Sequence, residues 1–288
     1  MSKYSIDNLI KIGSSHILCE DYSLTGLIPS FRECDDVPYI IVSDGCSSSE
    51  FTDIGSRILC LSANKVLHSM LFNLPDITPE IFGEKVISTS EPIARSMGLG
   101  LECLDATLIV AFVVNGKLRC FAYGDGCIIL GTKGTNSTRF FNISYETNAP
   151  FYLTYSASSK KKEGYFEKFG DGKKKTEYQC LFPTFNQHND KIDQKEIITN
   201  PVTEPFVYYG EFFKDDYILV MTDGIEQFMT PNGVKKTVVD VVEELTSFKS
   251  YAGEFVKRRT GRVLKDLKIQ GFENVDDFSI AGIYTEEE

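Results

Sequence analysis

Residues 39–45 read YIIVSDG, and residues 217–224 read YILVMTDG. Each stretch is an apolar run that starts with Tyr and ends with Asp-Gly, a pattern typical of a strand buried on both faces. The Asp residues that end these runs, Asp44 and Asp223, would lose solvation there and would need a cation, a cap or a partner to stay ionised. A turn or a helix cap is the ordinary alternative for either residue alone. The repeated ending predicts that both strands supply ligands to one shared site.

Acidic residues stand at five predicted strand ends, which favours the shared site. They are Glu20 and Asp21 after HILC, Asp44, Asp125 in YGDGC, Asp223, and Asp276 and Asp277 before FSIAGI. If these ends converge, the carboxylates repel one another unless divalent cations lie between them. Oxygen ligands favour Mg²⁺ or Mn²⁺ over zinc. Two such ions about 3.5–4 Å apart would hold a phosphoryl group and activate a water, and a following Gly lets the backbone approach an ion.

The order of elements predicts an α+β fold with sheets packed on each other and helices outside. Apolar spacing and turn signals predict strands at 17–24, 37–42, 106–114, 117–124, 127–132, 139–144, 206–213, 217–222 and 276–285, and helices at 54–71, 78–95 with a break near Pro92, 237–248 and 253–268. Hairpins dominate, as at Asn115-Gly116. We expect 206–213 to pair with 217–222 and the last strand to pair far back, so that residues 1–288 form a single domain.

Residues 156–200 differ from the rest because seven lysines lie between Lys160 and Lys175 while apolar residues become sparse. We expect a variable insertion or flap on the domain, with an exposed hairpin that turns at 170–172. Such a segment would either be a solvated hairpin or recruit an acidic or phosphorylated partner.

Composition argues against several classes of protein. A formal net charge of −11 disfavours binding to nucleic acid or anionic membranes. The sequence has neither a signal-peptide pattern nor an apolar run of about 18 residues. Its eight cysteines form no CxxC pair, so reduced thiols are expected rather than a zinc site or a disulfide framework. We therefore expect a cytoplasmic monomer.

Six short motifs occur in order along nearly the whole chain. They are CED (19–21), VSDGCS (42–47), DATLIVAFV (105–113), YGDG (123–126), VMTDGI (220–225) and VDDFSIAGI (275–283). In these motifs the chain resembles the metal-dependent serine/threonine protein phosphatases of the PPM, or type 2C, family, and its GSSHILCED opening is most similar to a bacterial branch. The resemblance implies a four-layer α-β-β-α sandwich of two antiparallel sheets flanked by helices, with metals in a cleft at one end.

The resemblance also implies an activity and a set of ligands. A metal-bound water would attack the phosphorus of a phosphorylated protein directly, and a cognate kinase would supply that substrate. Asp44 would bridge two Mg²⁺ or Mn²⁺ ions, and the Gly45 carbonyl would bind one of them. Asp223 and Asp276 would hold the other ion. Glu20 and Asp21 would hold the first ion or its waters, and Asp125 would join Asp223 at a third ion.

Two positions depart from the family pattern. His16 stands where many members have an Arg, four residues before the acid pair. A guanidinium grips phosphate with two hydrogen bonds and is always charged, whereas His is shorter and titrates near neutral pH. We therefore expect His16 to act in catalysis with weaker phosphate binding that improves at mildly acidic pH, or else to be a structural hydrogen-bonder. Leu104-Asp105-Ala106 stands where relatives often have Gly-Ser/Thr. This makes the start of that strand bulkier, and Asp105 would add charge near the cleft.

Two other functional classes are consistent with parts of the sequence. A catalytically weak or inactive relative would bind phosphate, metal or a partner as a regulatory module. An aspartyl-phosphate hydrolase of the haloacid-dehalogenase type needs Asp-x-Asp after its first strand, and Asp44-Gly45-Cys46 lacks the second Asp. The complete set of acidic residues favours catalysis by the phosphatase.

Overall fold

The computed structural model describes residues 4–29, 36–73, 77–135, 138–180, 184–185, 191–192 and 195–286. In chain order the elements are β1 (Tyr4–Lys11), β2 (Tyr22–Ile28), β3 (Val37–Ser43), α1 (Thr52–Asn73), α2 (Pro79–Ser96), β4 (Leu108–Val114), β5 (Lys117–Tyr123), β6 (Gly126–Thr132), β7 (Thr138–Tyr145), α3 (Leu153–Ala157), α4 (Ser159–Phe169), β8 (Lys173–Cys180), β9 (Thr184–Phe185), β10 (Lys191–Ile192), β11 (Lys195–Pro201), β12 (Phe206–Glu211), β13 (Asp216–Met221), β14 (Phe228–Met229), α5 (Val238–Thr246), α6 (Phe255–Ile269), β15 (Glu273–Asn274) and β16 (Phe278–Thr285). Two 3₁₀ turns, Leu101–Leu104 and Asp223–Glu226, complete the set.

Two antiparallel sheets form the middle of the protein. The seven-stranded sheet has the order β1-β16-β13-β6-β7-β8-β11, and the five-stranded sheet has the order β12-β5-β4-β3-β2. Successive side chains of a strand point to opposite faces. In β3, Ile40 therefore packs into the core between the sheets, while Ile41 packs under α1 and α2. Helices α5 and α6 cover the outer face of the seven-stranded sheet. The predicted α+β sandwich with helices outside is confirmed.

The last strand pairs with the first one. β16 runs antiparallel to β1, from Tyr4 opposite Thr285 to Lys11 opposite Phe278. The expected long-range pairing of the last strand is therefore confirmed. β1 itself was not predicted, because it is an edge strand whose Ser5, Asp7 and Asn8 interrupt the apolar pattern.

The strand predicted at 17–24 is wrong over its first half. Ile17 and Leu18 lie in a bend with 94% and 64% of their surfaces exposed, and β2 begins only at Tyr22. Glu20 and Asp21 thus precede a strand instead of following one. The two apolar residues that suggested a strand are surface residues of a loop.

Two further details of the predicted fold are also wrong. β12 pairs with β5 in one sheet, whereas β13 lies between β16 and β6 in the other, so these consecutive strands do not pair. Apolar patterns mark a strand but do not name its partner. The helix α2 continues through Pro92 to Ser96 because Pro92 is exposed, and the carbonyl that loses its helical partner there can reach water.

The lysine-rich segment forms a helix and then a strand, so the predicted hairpin at 170–172 is wrong. Ser158 caps α4 by accepting from the Lys161 amide over 3.3 Å, and Gly170, with φ of 71°, ends the helix. Strands β8 and β11 then extend the seven-stranded sheet. Residues 181–183, 186–190 and 193–194 of the predicted flap lie outside the described residues.

Helices of the described part of the chain are all too short or too polar to span a membrane. The cysteines within the described ranges are all free thiols, as expected.

Candidate active site

Asp44 lies directly after the buried strand β3. Its amide donates to the Thr107 hydroxyl over 3.0 Å, and its carbonyl accepts from the Thr107 amide over 2.8 Å. The next residue, Gly45, bridges to Ala106, and a side chain at Gly45 would come within 2.8 Å of Thr52. The backbone around Asp44 is therefore held from both sides, by the start of β4 and by the start of α1.

Asp223 begins the 3₁₀ turn that follows β13. A Cβ atom added to Gly224 would lie 1.8 Å from the Asp277 carbonyl oxygen, so only glycine allows this turn to touch the start of β16. Gly224 was expected to let the backbone approach an ion. In the structure it lets two segments of protein backbone approach each other. The Asp223 and Asp44 carboxyls lie side by side and interact directly.

Asp21 comes from the loop before β2 and is only 1% exposed. The Thr222 hydroxyl donates to its Oδ2 atom over 2.7 Å. Its other oxygen, Oδ1, is buried and has no hydrogen-bond partner among the described residues. The Asp21 side chain also interacts with Asp44. Burial raises the pKa of Asp21 to about 8.

Asp125 completes a group of four carboxyls, of which Asp21 is buried and the other three are half-buried. Burial raises its pKa well above the ordinary value, and the charges of Asp223 and Glu226 raise it further. Burial also raises the pKa values of Asp44 and Asp223, and for Asp44 the Asp21 and Asp223 charges add to the effect. The predicted convergence of carboxylates from distant strand ends is therefore seen for Asp21, Asp44, Asp125 and Asp223.

Glu226 joins the edge of this group and was missed by the sequence analysis. Its Oε1 atom accepts from the Asn142 side chain over 2.5 Å. Its charge acts on both Asp125 and Asp223. The signal was present, since Glu226 follows Asp223 by three residues and so lies in the same tight turn.

Glu20, His16 and Asp276 form a second part of the site, around the buried carboxylate of Asp277. The His16 ring lies between two carboxylates, with Nε2 3.2 Å from Asp276 Oδ1 and Nδ1 3.2 Å from Asp277 Oδ2. Asp277 also accepts from the amides of Gly13, over 2.8 Å, and Glu20, over 2.6 Å. Asp277 thereby ties the loop that carries His16 and Glu20 to the start of β16, a role the sequence did not suggest.

The carboxylates of Glu20 and Asp276 lie at the margins of the group of four carboxyls. Glu20 Oε1 accepts from the Thr52 hydroxyl over 3.0 Å. The Asp276 side chain is 36% exposed, and its charge acts on Asp223. Both residues therefore belong to the same cleft as the group of four carboxyls, and both are half-buried.

The donor set of the cleft fits hard divalent cations. In the described part of the chain, no three His, Cys, Asp or Glu side chains are arranged as a ready coordination shell. The carboxyls instead contact one another, which requires either bound protons or a cation between them. The orphaned Oδ1 atom of Asp21 is a buried oxygen without a partner. Carboxylate and carbonyl oxygens are the ligands that Mg²⁺ and Mn²⁺ prefer.

The lysine-rich helix α4 is tied to the loop that follows Asp44. Asp105 is only 5% exposed, and its Oδ1 atom accepts from Lys161 Nζ over 2.6 Å and from the Thr154 hydroxyl over 2.5 Å. The Asp105 carbonyl accepts from the Cys46 amide over 2.9 Å. Asp105 thus lies near the cleft as expected, but its charge is paired with a lysine that sequence reasoning had assigned to an exposed hairpin.

The sequence was compared with models of known protein families and with curated protein sequences. The sequence matches the family model described as Protein phosphatase 2C over residues 12–260. No curated protein sequence matches the chain.

Solved structures share the fold at low sequence identity. The S. agalactiae serine/threonine phosphatase is 16% identical with a TM-score of 0.53, covering 98% of this chain and 100% of that one. The catalytic domain of the serine/threonine protein phosphatase PstP, in complex with 2 manganese ions, is 14% identical with a TM-score of 0.52, covering 99% of each chain. A SpoIIE fragment from Bacillus subtilis, with the phosphatase domain and part of the regulatory domain, is 10% identical with a TM-score of 0.55; the match covers 99% of this chain but 64% of that one.

Proposed function

Because the chain belongs to the protein phosphatase 2C family, we propose that it is a metal-dependent phosphatase that hydrolyses phosphoserine and phosphothreonine in proteins. The observation that supports this most is the convergence of four carboxyls, one buried and three half-buried, from distant parts of the sequence. They are Asp21, Asp44, Asp125 and Asp223. Four acids with so little exposure, whose charges act on one another, destabilise the fold on their own, which favours a functional reason for keeping them.

The proposed ligands follow from their places in the cleft. Asp44 lies between Asp21 and Asp223 and would contact both ions, while Asp125 and Asp276 would hold the outer side of the cluster. When bound, the ions would supply positive charge for the phosphoryl oxygens and a water that ionises near neutral pH. Thr222 orients Asp21 for this role through its 2.7 Å hydrogen bond.

His16 is better suited to position a carboxylate than to bind phosphate. Both of its ring nitrogens face carboxylate oxygens at 3.2 Å. A phosphate would have to displace one of these contacts to reach the ring. We therefore propose that His16 fixes Asp276 at the margin of the metal cluster.

The engagement of His16 by two carboxylates also favours a second candidate function. A cleft without the guanidinium that many relatives have, and with its histidine engaged by acids, would bind a phosphorylated partner weakly and turn it over slowly. The alternative is therefore a regulatory module that binds a phosphoprotein with little hydrolysis.

Metal-dependent hydrolysis of p-nitrophenyl phosphate tests the first proposal. We expect turnover with Mn²⁺ that a chelator abolishes. Asp44→Asn should lower kcat by about a hundredfold or more, because the residue between the two ions is lost. The matched control is Asp171→Asn, at an exposed Asp-Gly far from the acids in the sequence. Mn²⁺ should also raise the Tm of the native chain but not that of the Asp44 variant.

Binding experiments separate the two candidate functions. A chain that gains stability from Mn²⁺ and binds a phosphopeptide without releasing phosphate would be the regulatory module. A chain whose Tm ignores Mn²⁺ and that neither binds nor hydrolyses phosphopeptides would contradict both proposals.

A further inference from the structure

A hollow of about 440 Å³ lies between the end of α5, the loop 247–254 and one face of α6. Its polar lining is cationic, and two phenylalanine rings contribute to its wall. The lining residues are Phe248, Lys249, Ser250, Phe255, Arg258, Arg259, Arg262 and Lys265. Its volume falls in the range of about 300–1,000 Å³ that is usual for small-molecule sites. We refer to it as the basic hollow.

The positive charge of the basic hollow has little compensation from the protein. Lys249, Arg262 and Lys265 make no hydrogen bond or ion pair with any residue in the described ranges. The nearest acids whose charges reach Arg259 are Glu244 and Asp266. The Glu244 carboxylate already pairs with Lys236 at 3.5 Å, outside the hollow's lining.

Two arginines of the basic hollow are held in place without being neutralised. Arg258 Nη2 donates to the Ala252 carbonyl over 2.7 Å, and Arg259 Nε donates to the Glu244 carbonyl over 2.5 Å. Both acceptors are neutral, so these hydrogen bonds leave the guanidinium charges in place. The charge of Glu254 reaches Arg258, but Glu254 already pairs with Lys257 at 2.9 Å. The bond from Arg258 also fixes the loop that closes one side, so the hollow needs little rearrangement before it receives a ligand.

The local positive charge of the basic hollow contrasts with the negative net charge of the whole chain. Five basic side chains surround this one hollow in a protein whose formal net charge is −11. Like charges at this spacing repel one another, and an anion with several charges would offset the repulsion. Arginine forks match phosphate oxygens in particular.

The wall of the basic hollow adds a second requirement on the ligand. Phe248 is half-buried and is held by neighbouring rings, with centroids 4.9 Å from Tyr251 and 5.3 Å from Phe255. A fixed aromatic ring beside a cluster of cations suits a molecule that joins a flat apolar ring to a multiply charged anion. We propose that the basic hollow binds a nucleoside polyphosphate, with its phosphates on Arg262, Lys265 and Lys249 and its base against Phe248.

Calorimetric titration with ADP tests this site independently of the phosphatase proposal. The titration uses the full chain in chelator, so that the acidic cleft holds no cation and repels the probe. We expect one saturable site per chain, with pyrophosphate about tenfold weaker and adenosine weaker still. The double variant Arg262→Ala/Lys265→Ala should lose about tenfold to a hundredfold in ADP affinity. Both side chains are exposed, so folding should be unaffected.

Two controls make the result specific to the basic hollow. Lys257→Ala, on the same helix but paired with Glu254 at 2.9 Å, should bind ADP like the native chain. The charge-preserving variant Arg262→Lys/Lys265→Arg should keep most of the affinity. Absence of saturable ADP binding, equal loss in Lys257→Ala, or pyrophosphate binding as tight as that of ADP would each overturn the assignment to a nucleoside polyphosphate.

Discussion

Replacing Lys174 with Met should stabilise the protein at neutral pH and lose that benefit in alkali. Lys174 lies in β8 and is only 1% exposed, although it carries an ammonium group. Its Nζ atom donates to the carbonyl of Glu204. No carboxylate among the described residues lies within ion-pair distance of Lys174, so the charge is buried against a neutral acceptor. Burial lowers the pKa of Lys174 from 10.5 to about 8, and the Glu204 charge opposes that shift only in part.

The size of the effect follows from the pKa. One pKa unit corresponds to about 1.36 kcal/mol, so the fall from 10.5 to about 8 means that the buried charge costs about 3 kcal/mol of folding free energy at neutral pH. Met has a similar length and no charge, but it cannot donate to the Glu204 carbonyl. The loss of that hydrogen bond lowers the free energy of unfolding by about 1 kcal/mol. We therefore expect Lys174→Met to raise the free energy of unfolding by about 2 kcal/mol at pH 7.

The pH dependence has a definite sign. Below about pH 8 the lysine is protonated in both states, so the whole cost is present. Between about pH 8 and 10.5 the unfolded chain binds more protons at this residue than the folded one, so the stability of the native chain rises with pH. The advantage of the variant should therefore shrink to near zero by about pH 9.5.

Urea titrations of the native chain and of Lys174→Met across this pH range measure the difference. Lys173→Met is the control, because the adjacent Lys173 side chain is exposed and should change stability by less than about 0.5 kcal/mol. A variant that is less stable at pH 7, or an advantage that does not change with pH, would refute the reasoning.

Three further changes probe the cleft. Lys161→Met should lower the free energy of unfolding, measured in urea titrations, by about 3 kcal/mol because it leaves the Asp105 charge buried without its partner. Adding Asp105→Asn should restore most of that loss. Additive effects of the two changes would argue against the ion pair. Thr222→Val removes the donor to Asp21 and should weaken Mn²⁺ binding by about tenfold. The measurement is a smaller Mn²⁺-induced rise in Tm. An unchanged rise would show that Thr222 does not support the metal site. His16→Ala should lower kcat/KM because Asp276 loses its 3.2 Å contact with the ring; a kcat/KM equal to that of the native chain would remove His16 from the mechanism.

Local patterns predicted most of the architecture because the strands of the sandwich are buried on both faces. Such strands appear as uninterrupted apolar runs, and this holds for β3, β4 and β13. The pattern failed in β1, where the polar residues Ser5 and Asp7 occupy buried positions, and in α4, where most of the helix surface is exposed to solvent. Ile17 and Leu18 led to a wrong strand prediction because they are apolar but lie exposed in a loop.

The candidate site was predictable in its acids but not in what holds them. Asp44 and Asp223 stand out because an acid directly after a buried run is energetically costly. Asp277 stands out as an acid at a strand end but not as the anchor of the loop at Glu20, and Thr222 and Lys161 do not stand out at all, because each acts through a partner more than 50 residues away in the sequence. Such pairings depend on the tertiary fold, and no local pattern encodes them.

The pairing of the first strand with the last has a consequence for biosynthesis. Asp277, just before β16, holds the loop that carries Glu20 and Asp21, so these acids gain their final positions only after β16, which is synthesised much later, joins them. A nascent chain still on the ribosome and lacking residues 276–285 therefore has an open cleft. Any activity of this cleft begins only after translation has passed that strand.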